Sequence, residues 1–202
     1  MAYETGTYMN DALNHGNTLK LGHGESLARM ILGEEFPYKV EFKRPDLSLV
    51  ATCYKCNIPP TVHVSMGTDI IDQHPSLDGE GKGGTSARDF GIFVAEVERL
   101  TDGGVYLNIG SAITGPEVFL KSVSMAANVG NVPGPIITAD FDLRPANLED
   151  ASNDKTATYY FRDVKSVVTR IPEAFKGKGH YIKGMFQDTL PALYKLVVEG
   201  MK

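Results

Sequence analysis

Apolar and polar positions change their period several times along the chain, and each change marks an element. The clearest stretch is Val105–Asp142. Val105–Ile109 is a short β-prone run, and Gly110-Ser111-Ala112 allows a tight turn. Pro116 suits the first turn of a helix, where its missing N–H would have no partner anyway. Val118, Phe119, Val123, Ala126 and Ala127 then recur at helical spacing, and Ile136-Ile137 resumes a buried strand. The pattern predicts one strand–helix–strand crossover. Ligands of parallel α/β sheets sit at the carboxyl ends of strands, so Gly110–Glu117 and Thr138–Asp142 are the first places to seek a site.

Upstream, residues 3–15, 23–33 and 46–57 read as helices between turns at Gly16, Gly22, Gly24, Pro37 and Pro45. Thr61–Met66 alternates as a strand behind Pro59-Pro60. Gly67–Gly84 is a polar loop too long for a simple connection, which suggests function. Ser86 with Asp89 resembles a capping box opening a helix to about Leu100, with Phe90, Phe93, Val94 and Val97 toward a core. Downstream, Arg144–Thr158 reads as a polar surface excursion, and Val164–Ile171 and His180–Lys183 as short strands. Gln187–Val198 reads as a helix with Leu190, Leu193, Tyr194 and Val197 on one side.

This alternation predicts an α/β fold: a mostly parallel sheet with helices on both faces, in which strands 61–66, 104–109 and 135–141 are parallel neighbours. With no internal repeat and no domain-scale linker, residues 1–202 read as a single domain, a helical extension over 1–45 followed by a core over 46–202.

Length and charge narrow the partners. A chain of 202 residues, 42% hydrophobic, can bury a sizeable core. Its net charge of −5 argues against nucleic acid or an anionic membrane as the main partner and favours a small-molecule substrate or another protein. No apolar run approaches the roughly 20 residues that span a bilayer, and the start MAYETGTYMNDALNHG lacks a signal-peptide core, so the expected location is cytoplasmic. Cys53 and Cys56, the sole cysteines, lie near the end of a helical pattern with no second pair to complete a zinc site, so reduced structural thiols are expected.

Several residues invite chemistry. Asp69, Asp72, His74 and Asp78, with His63 before them, offer oxygen and imidazole groups, but their intervals match no familiar metal signature. Asp69 is better read as a strand-end acid able to accept from a ribose hydroxyl. Glu117 either complements the dipole of its helix or meets a cationic or hydroxyl-bearing substrate. Lys165 is a Schiff-base candidate if burial frees its amine, yet Arg162, Asp163 and Arg170 around it suggest a solvated strand edge. Ser111 stands in no nucleophile elbow. Asp69, Gly110, Ser111, Glu117, Thr138 and Asp140 are expected to converge on one cleft.

The order of motifs carries a resemblance. Ile58-Pro59 leads toward Gly67-Thr68-Asp69, then come the Ile109-Gly110-Ser111-Ala112 turn, Thr138-Ala139-Asp140-Phe141-Asp142, and Leu190-Pro191-Ala192-Leu193. This succession resembles the second half of deoxyhypusine synthases, and is similar to bacterial relatives bearing a Gly-Ser-Ala-x-x-x-Pro-Glu-Val-Phe-Leu-Lys element. The resemblance covers about residues 46–198. It implies a Rossmann-like NAD-binding fold, assembled as a homo-oligomer with sites near subunit interfaces, and oxidation of or group transfer from an amine substrate. It further implies that Asp69, Gly110, Ser111, Thr138, Ala139 and Asp140 contact the cofactor, and that Glu117 and Lys165 take catalytic positions. Departures accompany it: Gly110-Ser111-Ala112 replaces a triple glycine, Met185 stands where an acid is usual, and there is no tryptophan. The family's N-terminal half has no counterpart, so a separate chain is expected to supply it unless the chain is a fragment or NAD binding is lost. The alternatives are a non-catalytic interaction subunit and, third, a metal-dependent hydrolase.

Overall fold

A computed structural model describes residues 3–100 and 103–201. The chain forms two compact units that meet in sequence at Phe93/Val94, well beyond the boundary at residue 45 suggested by the pattern.

The first unit is helical. Helix α1 (Tyr3–Thr18) packs on α2 (His23–Ile31), and α2 on α3 (Leu49–Lys55). Ala12, Met30 and Phe36 form an apolar cluster with Tyr8, Leu21, Leu27 and Val40 against it. Cys53 and Cys56 close α3 as free thiols. Thr61–Met66 is not a strand. The backbone N–H groups of Val62 and Val64 donate to Asp89 Oδ2 and Ser86 Oγ, at 2.7 and 3.1 Å, so side chains take the place of a sheet neighbour. Those two side chains are therefore not a capping box. Helix α4 (Gly79–Glu98) starts earlier, where Asp78 Oδ1 accepts from the Glu80 N–H at 2.9 Å.

The second unit is α/β. Strand β1 (Val105–Ile109), helix α5 (Thr114–Asn128) and strand β2 (Ile137–Asp142) make the expected crossover, and the two strands pair in parallel. The third strand is β3 (Lys178–Lys183), parallel to β2, in a sheet of order β1-β2-β3. The segment Val164–Ile171, expected as a strand, is instead a π-helical run (Val164–Arg170) leading into α6 (Ile171–Ala174). Asp163 caps it through Val164 N–H, and Val164, Val167 and Val168 bury one helical face. The closing helix α7 spans Phe186–Gly200.

Partners in the register share a face, so Tyr106, Asn108, Thr138, Asp140 and Tyr181 lie on one side of the sheet. Tyr106 stacks on Phe119 of α5 with ring centres 3.6 Å apart. The Thr138 hydroxyl donates to the Val167 carbonyl at 2.5 Å, tying β2 to the π-helical run. Gly179 lets that run lie close to β3: a Cβ there would stand 1.8 Å from the Val168 carbonyl oxygen. The other face is only partly covered, against the expectation of helices on both sides. Val105, Leu107 and Ile109 of β1 are 53, 39 and 43% exposed.

Among the described residues, no helix is long and apolar enough to cross a membrane.

Candidate functional site

The carboxyl ends of β1 and β2 bring polar side chains together inside the second unit. Asn108 and Asp140 are register partners on the α5-covered face. The Asn108 amide donates to Asp140 Oδ1 at 2.6 Å and to the Ser111 carbonyl at 2.8 Å. Ser111 Oγ in turn accepts from the Gly115 N–H at 2.8 Å. This chain fixes the turn after β1 to the end of β2. Gly110 adopts a φ of +71°, which a side chain at that position would strain.

Asp140 is fully buried, and its Oδ2 has no hydrogen-bond partner. Burial pushes its carboxyl up to about 6; the Asn108 bond opposes the shift, and the charges of Asp163 and Asp142 reinforce it. Asp142 lies two residues on, on the same face, and Asp163 caps the π-helical run. One carboxylate oxygen from each of these three residues lies within 4.8 Å of the others. Burial likewise raises Asp163. For Asp142 burial is outweighed by the hydrogen bonds from Arg144, and its carboxyl is lowered.

Arg144 is the cation of this group. Its guanidinium bonds both Asp142 and Asp163 and lies over the Phe161 ring, 4.1 Å from the ring centre. The Tyr181 hydroxyl donates to the Arg144 carbonyl at 2.8 Å and holds the backbone there.

The expected site residues fall out as follows. Gly110, Ser111 and Asp140 belong to this constellation. Thr138 is on the same face, but its hydroxyl is committed to Val167, and Ala139 points to the opposite face. Glu117 pairs with Lys121 one turn along and with Arg162 at 3.4 Å; the Lys121 bond holds its carboxyl low. Lys165 lies on the π-helical run, not on a strand edge, with its ammonium 3.5 Å from the centre of the Tyr159 ring. Asp69 belongs to the first unit, where it caps the short turn Ile70–Gln73 in a capping box with Asp72. It borders a depression of about 470 Å³ lined by Gly67, Thr68, Ile70, Asp72 and Gln73. The first unit also holds an apolar cavity of about 520 Å³ between Tyr8, Leu27, Met30 and Phe42.

Asn108, Arg144 and Asp163 join the site without being among the residues expected there. An amide in the middle of Val-Tyr-Leu-Asn-Ile was the available signal for Asn108, because a polar group on a buried strand face needs a partner. Asp163 lies 21 positions beyond Asp142 and has no local signature as its neighbour.

No family model, no curated protein and no solved structure matches this chain. The site therefore stands on its own geometry: a strand-end cluster of amide, carboxylates and one guanidinium under a glycine turn, in a mixed α/β unit with a small parallel sheet.

Proposed function

We propose that the second unit is a Rossmann-like, deoxyhypusine-synthase-like module that binds NAD at the carboxyl edge of β1 and β2, and that the protein oxidises, or transfers a group from, a small polar or amine-bearing substrate. The observation that carries this reading is the β1–turn–α5–β2 crossover, whose turn is pinned by Asn108 and Ser111 to the acid-bearing end of β2. Gly110 and Ala112 are exposed ahead of α5, so a dinucleotide can approach the backbone there. Asp142, partly exposed beside the turn, offers a carboxylate suited to a ribose hydroxyl or an ammonium group. NAD, when bound, supplies a hydride acceptor, and the residues of this chain position the substrate beside it. Lys165 and Glu117, engaged with Tyr159 and with Lys121, carry no step in this proposal.

Calorimetric titration of the purified protein with NAD tests the reading. Micromolar to submillimolar affinity is expected, lost in Ala112→Trp, which places a bulky side chain on the exposed turn and leaves the core untouched. A folded wild-type protein that ignores millimolar NAD overturns it.

A second reading, a non-catalytic interaction subunit, is favoured by one observation. Helix α7 buries none of its residues fully, with Tyr194 and Leu196 72 and 67% exposed, and β1 exposes its apolar face as well. Such faces fit a homo-oligomer or a separate chain. Light scattering at micromolar concentration distinguishes a monomer from either assembly.

A further inference from the structure

We propose that Asp140, Asp142 and Asp163 are the ligand set of a hard divalent cation, and that Arg144 is the placeholder which leaves when the cation enters.

The carboxylates share one pattern. In each, one oxygen is anchored by an N–H donor. Asn108 Nδ2 holds Asp140 Oδ1, Leu143 N–H holds Asp142 Oδ1 at 2.6 Å, and Val164 N–H holds Asp163 Oδ1 at 3.0 Å. The second oxygens of Asp142 and Asp163 both turn to the single guanidinium of Arg144, and that of Asp140 has no partner at all. Three carboxylates thus face one cation, with Asp140 fully buried and the side chains of Asp163 and Asp142 only 2 and 16% exposed. Charge buried in this proportion calls for a further positive group, because an unpaired buried carboxylate is costly.

Size and donor chemistry select the class. Oxygens on opposite sides of a calcium ion bound at about 2.4 Å are about 4.8 Å apart, and manganese and magnesium ask for a slightly tighter set. One oxygen from each acid already lies within 4.8 Å of the others. All the donors are carboxylate oxygens, which suit calcium, magnesium or manganese and not the softer metals. The ligands are also held before binding, two by β2 and one by the start of the π-helical run. Arg144 has somewhere to go: its side chain is a third exposed, so its guanidinium reaches solvent when it leaves the two carboxylates.

This inference needs no nucleotide; Asp142 is the one residue it shares with the NAD reading, and titration with the metal chloride alone tests it apart from that reading. The test is calorimetric and thermal-shift titration of the chelator-treated full chain with calcium, manganese or magnesium chloride alone. Binding of one ion per chain is expected for at least one of them, with a raised melting temperature. Asp140→Asn and, separately, Asp163→Asn should weaken it at least about tenfold. Arg144→Gln should strengthen it, because the competing cation is gone, an outcome that a merely structural ion pair does not give. No binding at millimolar ion, binding unchanged in both aspartate variants, or weaker binding in a folded Arg144→Gln protein overturns the proposal.

Discussion

Two buried charge clusters, one in each unit, are balanced in opposite ways. In the first, Lys82 is 1% exposed and meets Asp72, itself 8% exposed, in a closed pair. Asp72 also accepts from the Gly67 and Asp69 N–H groups, so both charges of the pair are answered and a loop is fastened as a result. His23 beside them is kept neutral: burial, then the nearby Lys82, lowers its pKa to about 4. In the second unit three carboxylates converge on one guanidinium, and one oxygen is left without a donor. A matched buried pair serves the scaffold, as does a lone buried carboxylate held by backbone N–H groups such as Asp89, whereas three carboxylates gathered around one cation mark a place where something else is meant to bind.

Removing the cation from the matched pair should have the largest effect. Lys82→Met strands Asp72 in the interior and is expected to destabilise the protein by about 3–5 kcal/mol, measured by urea denaturation. If the loss is below about 1 kcal/mol, the pair is not closed and the contrast between the two clusters fails.

Acid should reach the first unit through His23. Its folded pKa, about 4, lies below the ordinary 6.5, so the unfolded chain takes the proton first. The stability it confers is complete above pH 6.5 and is lost as pH falls toward 4, by about 3 kcal/mol over that window. Lys82, Asp69 and His63 bear on this group, and Asp89, raised by burial, works in the opposite sense. Subtracting the pH profile of His23→Asn from that of the wild type isolates the histidine, and a flat difference would refute the assignment.

In the unmatched cluster the sign reverses. Asp140→Asn keeps an oxygen to accept from Asn108 and removes a buried charge, so at neutral pH without added metal the protein should gain about 1 kcal/mol. Thermal unfolding reads this, and a clear loss would mean that the carboxylate is already compensated. Glu117→Gln should change stability by less than about 0.5 kcal/mol and leave NAD affinity unaltered, because its partners Lys121 and Arg162 are 57 and 65% exposed.

What could be read from the chain follows the range of the interactions involved. The crossover from Val105 to Asp142 was legible because strand, turn and helix each announce themselves within a few residues, and Gly110, Ser111 and Asp140 came with it. Thr61–Met66 misled because its alternation of Val62 and Val64 is that of a strand, while the groups its backbone binds, Ser86 and Asp89, lie more than twenty residues away. Val164–Ile171 misled because β-branched residues favour strands, although Val164, Val167 and Val168 carry the spacing of a helix and Asp163 the cap. The cluster itself joins β2 to the start of the π-helical run, a proximity that tertiary packing creates, the Thr138 bond to Val167 among its contacts.

Gly179 gives that packing a further meaning. The missing methyl group sets how thick the layer is where the π-helical run crosses β3, and Asp163 begins the same run five residues before Val168. Any side chain at position 179 would wedge the run outward and open the span between Asp163 and the two acids of β2. A residue that touches none of the three carboxylates thus acts as their spacing gauge, and drift at this silent position would detune the acidic triad while leaving every one of its members in the sequence.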